Sequence, residues 1–131
     1  MRVLIDTHTF LWFVSNRTRL GGKALNILES RGCIAEISIA SIWEISIKMA
    51  RNKLSIEGGF SSVETDLVKN SIQILPISLE HTLVNNGLAF HHKDPFDRII
   101  AAQAIVESID LVSIDDIFDS YFAEAEVKRI W

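Results

Sequence analysis

Four acidic residues, Asp6, Glu44, Asp97 and Asp115, occupy positions from which their carboxylates can converge on one pocket. Two of them follow short apolar runs, and two lie in longer segments with helical patterning. Neighbouring carboxylates repel each other by about 4 kcal/mol at ~4 Å and an effective dielectric of about 20, so a cluster of them requires a positive partner. Mg²⁺ and Mn²⁺ prefer oxygen ligands and support phosphodiester hydrolysis by activating water. The four acids therefore predict a Mg²⁺ or Mn²⁺ site in which each acid is a metal ligand and a catalytic residue.

Each acid also has a purely structural interpretation. Asp6 is suited to capping a helix, and Asp97 is suited to the first turn of one, where its charge complements the helix dipole. Glu44 is spaced for an i, i+4 ion pair with Lys48, and Asp115 and Asp116 are suited to beginning a turn or capping the segment at 117–118. Each acid by itself leaves the choice open, but the four together favour a shared site.

The sequence offers little for a metal site built from thiolates or imidazoles. Cys33 is the single cysteine, so it forms no intramolecular disulfide, and the four histidines show no zinc-site spacing. His91 and His92 precede Asp94, but adjacent residues rarely ligate one ion. A carboxylate site is therefore favoured over a mixed His/Asp site.

Apolar runs alternate along the chain with longer helical segments. Strands are predicted at 3–5, 34–39, 72–75, 111–114 and 127–131, and helices at 10–14, 23–29, 40–51, 61–70, 79–87 and 95–107. This alternation indicates an α/β fold with a central, mainly parallel sheet and helices on both faces. Such sheets build their sites at the carboxyl ends of strands, where Asp6 and Asp115 are expected to lie.

Composition and charge limit the kind of protein. The 131 residues carry 13 basic and 17 acidic side chains, for a net charge of −4, and no repeat or linker divides them, so one domain spanning 1–131 is expected. No apolar run approaches the roughly 20 residues of a membrane helix, and the first acid comes too early for a signal peptide. We expect a soluble, cytoplasmic protein with no membrane association. The acid excess excludes a nonspecific nucleic-acid coat, but it does not exclude a nuclease, because nine acids are concentrated within residues 94–126.

Five segments, in this order, resemble the PIN-domain proteins and, more narrowly, their VapC-like branch. The segments are Asp6-Thr7-His8-Thr9, Ala40-Ser41-Ile42-Trp43-Glu44, His91-His92-Lys93-Asp94-Pro95-Phe96-Asp97-Arg98, Leu111-Val112-Ser113-Ile114-Asp115 and Ile130-Trp131. The resemblance spans essentially the whole chain. The Ser-Ile-Trp-Glu and Asp-Pro-Phe-Asp-Arg segments are the most specific parts of it.

The resemblance implies a three-layer α/β/α PIN-like fold and a Mg²⁺- or Mn²⁺-dependent endoribonuclease. It further implies the toxin of a type II toxin–antitoxin pair, which hydrolyses RNA and is silenced by a cognate antitoxin. Asp6 and Asp97 would be the principal metal ligands, Glu44 would complete or orient the site, and Asp115 would be the fourth acid. Ser113 matches a Ser or Thr that helps to order the cluster.

Three further residues receive more specific expectations. Asp115-Asp116 stands where related sequences often have Asp-Pro. Asp115 is favoured as the fourth acid because it lies two residues after Ser113, and Asp116 stays open as the alternative or as a supporting turn residue. Arg98 is a candidate for contacting phosphate or the antitoxin, and Lys48 for meeting the RNA backbone.

Competing hypotheses are a catalytically silent PIN-fold binding module and a PIN nuclease that processes RNA without being a toxin. A receiver domain or a haloacid-type phosphatase is disfavoured, because Asp6-Thr7-His8 lacks the acidic pair or Asp-x-Asp motif that these classes need. Three tryptophans and a positive mean hydropathy of +0.23 in a small chain predict an apolar surface. A homodimer or a bound antitoxin would cover such a surface.

Overall fold

A computed structural model describes all 131 residues and shows five strands and seven α-helices. The strands are β1 (Arg2–Ile5), β2 (Ile34–Ser38), β3 (Gln73–Leu75), β4 (Asp110–Val112) and β5 (Arg129–Ile130). The helices are α1 (Thr7–Ser15), α2 (Gly22–Leu28), α3 (Ile39–Ala50), α4 (Ser61–Lys69), α5 (Leu79–Gly87), α6 (Pro95–Glu107) and α7 (Ile117–Phe122), and a 3-10 turn spans Arg17–Arg19. None of the helices has the length and apolarity needed to cross a bilayer.

All the strand pairs are parallel, in the order β3-β2-β1-β4-β5. The chain builds outward from β1 through β2 to β3, then returns to the other side of β1 to place β4 and β5. The direction of winding therefore reverses between β1 and β4, where Ile5 pairs with Val112. In open α/β sheets the crevice at such a reversal, beyond the carboxyl ends of the strands, is where ligands bind.

Side chains alternate across the sheet and supply two apolar cores. On β1, Val3 and Ile5 face the core beneath α1 to α4, whereas Leu4 faces the core beneath α6 and α7. Helix α5 packs against α6 on the second side. The fold is the predicted α/β/α arrangement of helices on both faces of a sheet, and the sheet is wholly parallel.

The observed elements differ from the predicted ones mainly at their ends. Helix α6 matches its predicted bounds, because Asp94 caps it by accepting a hydrogen bond from the backbone N–H of Phe96 (2.9 Å) and Pro95 opens its first turn. Helix α1 begins three residues earlier than predicted, since Asp6 caps it at Thr7. Helix α7 and the 3-10 turn were not predicted, and the last strand is limited to Arg129–Ile130 instead of 127–131.

Candidate functional site

Asp6 lies at the carboxyl end of β1 and is 5% exposed. Its Oδ1 accepts a hydrogen bond from the backbone N–H of Thr9 (2.9 Å), and its Oδ2 accepts one from the Ser113 hydroxyl. Burial raises the pKa of Asp6, and the hydrogen bonds from Ser113 and Thr9 oppose that shift. Asp6 is therefore a helix cap, as its structural interpretation predicts, and also a buried carboxylate at the reversal point of the sheet.

Asp115 follows β4 and is joined to Asp6 through a single side chain. The Ser113 hydroxyl that donates to Asp6 also accepts a hydrogen bond from the backbone N–H of Asp115 (3.0 Å). The Oδ1 of Asp115 accepts from the backbone N–H of Ile117 (3.0 Å), and its Oδ2 lies 3.9 Å from Nε2 of His92. Ser113 thus orders two of the predicted acids at once.

Asp116 lies outside this arrangement. Its side chain is exposed and makes no capping bond to α7, and its charge contributes to raising the pKa of Arg129, after the larger effect of the Asp119 hydrogen bond. Of the two adjacent acids, Asp115 is the one whose charge reaches Asp97.

Glu44 is buried in α3 with both of its carboxylate oxygens in hydrogen bonds. The Thr7 hydroxyl donates to Oε1 (2.6 Å), and the Lys48 ammonium donates to Oε2 (2.8 Å). The predicted i, i+4 pair is therefore present, with Glu44 buried and Lys48 about two-fifths exposed. The hydrogen bond to Glu44 raises the pKa of Lys48, and the charges of Glu44, Asp94 and Asp97 add to that effect against desolvation.

Asp97 lies in the first turn of α6, and the charges of several other carboxylates affect its pKa. Burial, followed in order of size by the charges of Asp94, Asp6, Glu44 and Asp115, raises its pKa to about 7. The structure therefore brings the three other predicted acids within electrostatic range of Asp97.

This cluster matches the requirements of a hard divalent cation. Its carboxylate oxygens are ligands that Mg²⁺ and Mn²⁺ prefer. Burial and, after it, the charges of neighbouring acids raise the pKa of Asp97, and a bound cation would offset both effects. The residues present therefore fit the ion that the sequence predicts.

His92 is a member of the cluster that sequence reasoning set aside. Its Nε2 lies 3.3 Å from Oδ2 of Asp97 and 3.9 Å from Oδ2 of Asp115. Potential ligand atoms of these three side chains all lie within 4.8 Å of one another. The signal in the sequence was the His-His pair just before Asp94-Pro95, but its interpretation depends on the loop conformation, which adjacency alone does not reveal.

Arg98 does not have the place expected of a substrate contact. Its side chain is buried, and its guanidinium donates to the carbonyl oxygens of Ala89 (2.8 Å), Asn85 (3.0 Å) and Leu88 (3.1 Å) while lying 4.1 Å from the centroid of the Phe90 ring. Arg98 therefore ties the C-terminal end of α5 and the following loop to α6, because a guanidinium satisfies several orphan carbonyls at once.

A groove of about 790 Å³ opens beside Glu44, between α1 and the segment that follows α3. Thr7 and Lys48, the two side chains that hold Glu44, form part of its wall, and Arg19, Lys53 and Trp12 line it farther out. The groove wall carries the cations Arg19, Lys48 and Lys53, the acids Glu57 and Asp66 and the ring of Trp12, and it meets the acidic cluster through Thr7 and Lys48, which hold Glu44.

A family model for the PIN domain matches residues 3–123 of this chain. No curated protein matches the chain significantly. Among solved structures, VapBC2 from Rickettsia felis bound to a promoter DNA fragment is 17% identical, covers 100% of both chains and has a TM-score of 0.71. VapBC-1 from nontypeable Haemophilus influenzae is 16% identical, covers 98% of each chain and has a TM-score of 0.69. VapBC-5 from Mycobacterium tuberculosis, of a family of toxin–antitoxin systems, is 15% identical, covers 98% of this chain and 97% of that chain, and has a TM-score of 0.65. At these identities the likeness shows a shared fold.

Proposed function

This chain belongs to the PIN-domain family, and on that premise we propose that it is a Mg²⁺- or Mn²⁺-dependent endoribonuclease, the toxin of a type II toxin–antitoxin pair. One observation carries the proposal: at the reversal point of the sheet the Ser113 hydroxyl joins Asp6 to Asp115, and Asp115 and Asp97 have potential ligand atoms within 4.8 Å of each other. Burial and then the charges of neighbouring acids, Asp6, Glu44 and Asp115 among them, raise the pKa of Asp97 to about 7. A divalent cation bound by such a cluster would neutralise its charge and could support phosphodiester hydrolysis.

The proposed roles follow from the contacts of each side chain. Asp6, Asp97 and Asp115 hold the ion, and Glu44 completes or orients the site from α3. Ser113 supports the cluster by holding Asp6 and the backbone of Asp115 together. A bound Mg²⁺ or Mn²⁺ supplies Lewis-acid activation of water and charge neutralisation at the phosphate.

The proposed substrate is RNA, approaching along the groove beside Glu44. The groove wall also carries Glu57 and Asp66, but its cations are Lys48, which pairs with Glu44, and farther out Arg19 and Lys53. Their contacts to phosphate would orient the strand, because phosphate contacts position a nucleic acid without reading its sequence. A metal site that attracts phosphate is consistent with the net charge of −4.

The proposed partners are a cognate antitoxin and a second copy of the chain. The antitoxin is supported by the similar VapBC structures, one of which belongs to a family of toxin–antitoxin systems. Self-association is supported by large apolar side chains that this chain leaves exposed, among them Trp43 at 62% and Phe90 at 84%. We propose a cytoplasmic location, because an RNA substrate is available there and its reducing conditions keep a thiol such as that of Cys33 free.

The decisive experiment is an RNA cleavage assay with Mg²⁺, with Mn²⁺ and with EDTA, using a mixed RNA pool and single-stranded DNA as the comparison substrate. Wild type and Glu64→Gln, which changes an exposed acid of α4 outside the cluster, are expected to cleave RNA when the ion is present. Asp97→Asn is expected to lose at least about a hundredfold in rate, since it removes a ligand.

The alternatives give different results in the same assay. Activity that survives both EDTA and Asp97→Asn would contradict the metal mechanism. A wild-type protein that neither cleaves RNA nor binds Mn²⁺ in calorimetry would instead indicate a catalytically silent PIN module. Cleavage that a co-expressed candidate antitoxin leaves unchanged would favour a PIN nuclease in RNA processing.

A further inference from the structure

Both ring nitrogens of His92 have defined partners. The backbone N–H of Asp94 donates to Nδ1 at 2.9 Å, so Nδ1 must present its lone pair. In the neutral ring the proton then resides on Nε2. Nε2 is the atom that faces Oδ2 of Asp97 at 3.3 Å and Oδ2 of Asp115 at 3.9 Å.

The loop that carries His92 is held from two sides. The backbone N–H of His92 donates to the Tyr121 hydroxyl (2.9 Å), and the ring of His91 packs edge-on against Tyr121. On the other side Arg98 donates to the carbonyl oxygen of Ala89. These contacts, from α7 and α6, keep the imidazole oriented towards the acids.

The same tautomer arrangement occurs at a second histidine away from the site. His81 receives the backbone N–H of Ser78 at Nδ1 (2.9 Å), and its Nε2 lies 3.1 Å from Oε2 of Glu107. In both places a backbone N–H occupies Nδ1 and a carboxylate oxygen lies close to Nε2. The two histidines differ in that His92 addresses acids of the candidate metal site.

We propose that His92 is a positioning residue whose Nε2–H fixes Oδ2 of Asp97, so that the other oxygen of Asp97 is presented to the divalent cation. The inference rests on the proposed metal site. Direct ligation by Nε2 would require the proton to move to Nδ1, where it would oppose the N–H of Asp94. Hydrogen-bonded partners of this kind orient ligating carboxylates, and their loss typically weakens metal binding by about 10- to 100-fold.

The test is calorimetric titration of Mn²⁺ into the full chain, with His92→Ala, His92→Gln and His91→Phe compared to wild type. His92→Ala is expected to raise the Mn²⁺ Kd by about 10- to 100-fold. His92→Gln is expected to recover most of the affinity, because its side-chain amide supplies an N–H donor with similar reach. His91→Phe is the matched control, since it keeps an aromatic ring against Tyr121 at an exposed position of the same loop, and it should bind like wild type.

A second variant and a spectroscopic measurement complete the test. Tyr121→Phe keeps the imidazole but removes the hydroxyl that anchors its loop, and it should weaken Mn²⁺ binding less than His92→Ala does. Electron spin echo measurements on bound Mn²⁺ should show no directly coordinated imidazole nitrogen. Circular dichroism of each variant verifies folding, and if His92→Ala does not fold, His92→Gln and Tyr121→Phe are compared with wild type instead.

The outcomes separate this inference from the proposed function. If wild type binds Mn²⁺ and the His92 variants bind it equally well, the role of His92 is overturned and the proposed metal site is not. The inference is also overturned, in favour of direct ligation, if bound Mn²⁺ shows a coordinated imidazole nitrogen and His92→Gln binds Mn²⁺ as weakly as His92→Ala does. A wild type that binds no Mn²⁺ overturns both the metal site and the inference that depends on it.

Discussion

Ser113 and Asp6 lie 107 positions apart in the chain and share a hydrogen bond, in which the Ser113 hydroxyl donates to Oδ2 of the buried Asp6 carboxylate. The bond spans the ends of β4 and β1, the adjacent strands between which the winding of the sheet reverses. The same hydroxyl accepts a hydrogen bond from the backbone N–H of Asp115. The Ser113 side chain therefore links the acid that follows β1 to the acid that follows β4.

Replacing this hydroxyl is expected to destabilise the metal-free protein. Ser113→Ala leaves an oxygen of a buried carboxylate without its donor, which costs about 1–3 kcal/mol of unfolding free energy. Urea denaturation in EDTA measures the loss, with Ser120→Ala as the control because Ser120 is exposed on α7. Equal midpoints for wild type and Ser113→Ala would show that the bond contributes nothing to stability.

The raised pKa of Asp97 predicts how stability depends on pH. A carboxyl whose pKa rises from 3.8 unfolded to about 7 folded binds its proton more tightly in the native state. Its contribution to stability is therefore fully present below the unfolded value and is lost as pH rises towards about 7.

Asp97→Asn removes this dependence. Between about pH 5 and pH 8 without metal, the unfolding free energy of wild type should fall relative to that of Asp97→Asn by about 2 kcal/mol. Denaturation curves at several pH values in EDTA measure the difference. Added Mn²⁺ should restore wild type at the higher pH and leave Asp97→Asn nearly unchanged, whereas parallel pH profiles in EDTA would contradict the assignment.

Asp115 and Asp116 are expected to differ in Mn²⁺ binding despite their adjacency. Asp115→Asn retains an oxygen able to accept from the backbone N–H of Ile117, so the fold should persist while the Mn²⁺ Kd rises at least about 10-fold. Asp116→Asn alters an exposed residue and should change the Kd by less than about twofold. Calorimetry compares the pair directly, and a larger effect at Asp116 would identify it as the fourth acid.

Arg98 is expected to support the fold and its loop. Arg98→Met leaves three carbonyl oxygens without their shared donor and should lower the unfolding free energy by about 2–4 kcal/mol. Arg98→Lys should recover less than half of that loss, because one ammonium cannot match the planar guanidinium. Urea denaturation measures both, with the exposed Arg51→Met as the control. Near-wild-type stability of Arg98→Met would return Arg98 to the list of candidate surface contacts.

Local sequence patterns determined most of the elements and the fold class. Helix α6 could be bounded because its cap, Asp94, and its first residue, Pro95, act within a few residues of each other. The alternation of apolar runs with helical segments sufficed for a parallel α/β sheet. The bounds of the last strand and the presence of α7 are harder to predict from sequence. A two-residue strand and a six-residue helix depend on neighbouring elements more than on their own propensity.

The meeting of particular side chains was decided by the packing of distant segments. Asp6 and Asp115 were expected together because the ends of parallel strands share an edge, but the hydrogen bond that joins them required the register of β1 against β4. The sequence alone does not determine whether Arg98 faces solvent. Its side chain is buried because α6 packs against α5. His92 faces the acids because Tyr121, 29 residues later, holds its backbone. Sequence patterns specify which residues begin, end and face each element, whereas a contact between two loops depends on the balance of many weak interactions across the whole fold.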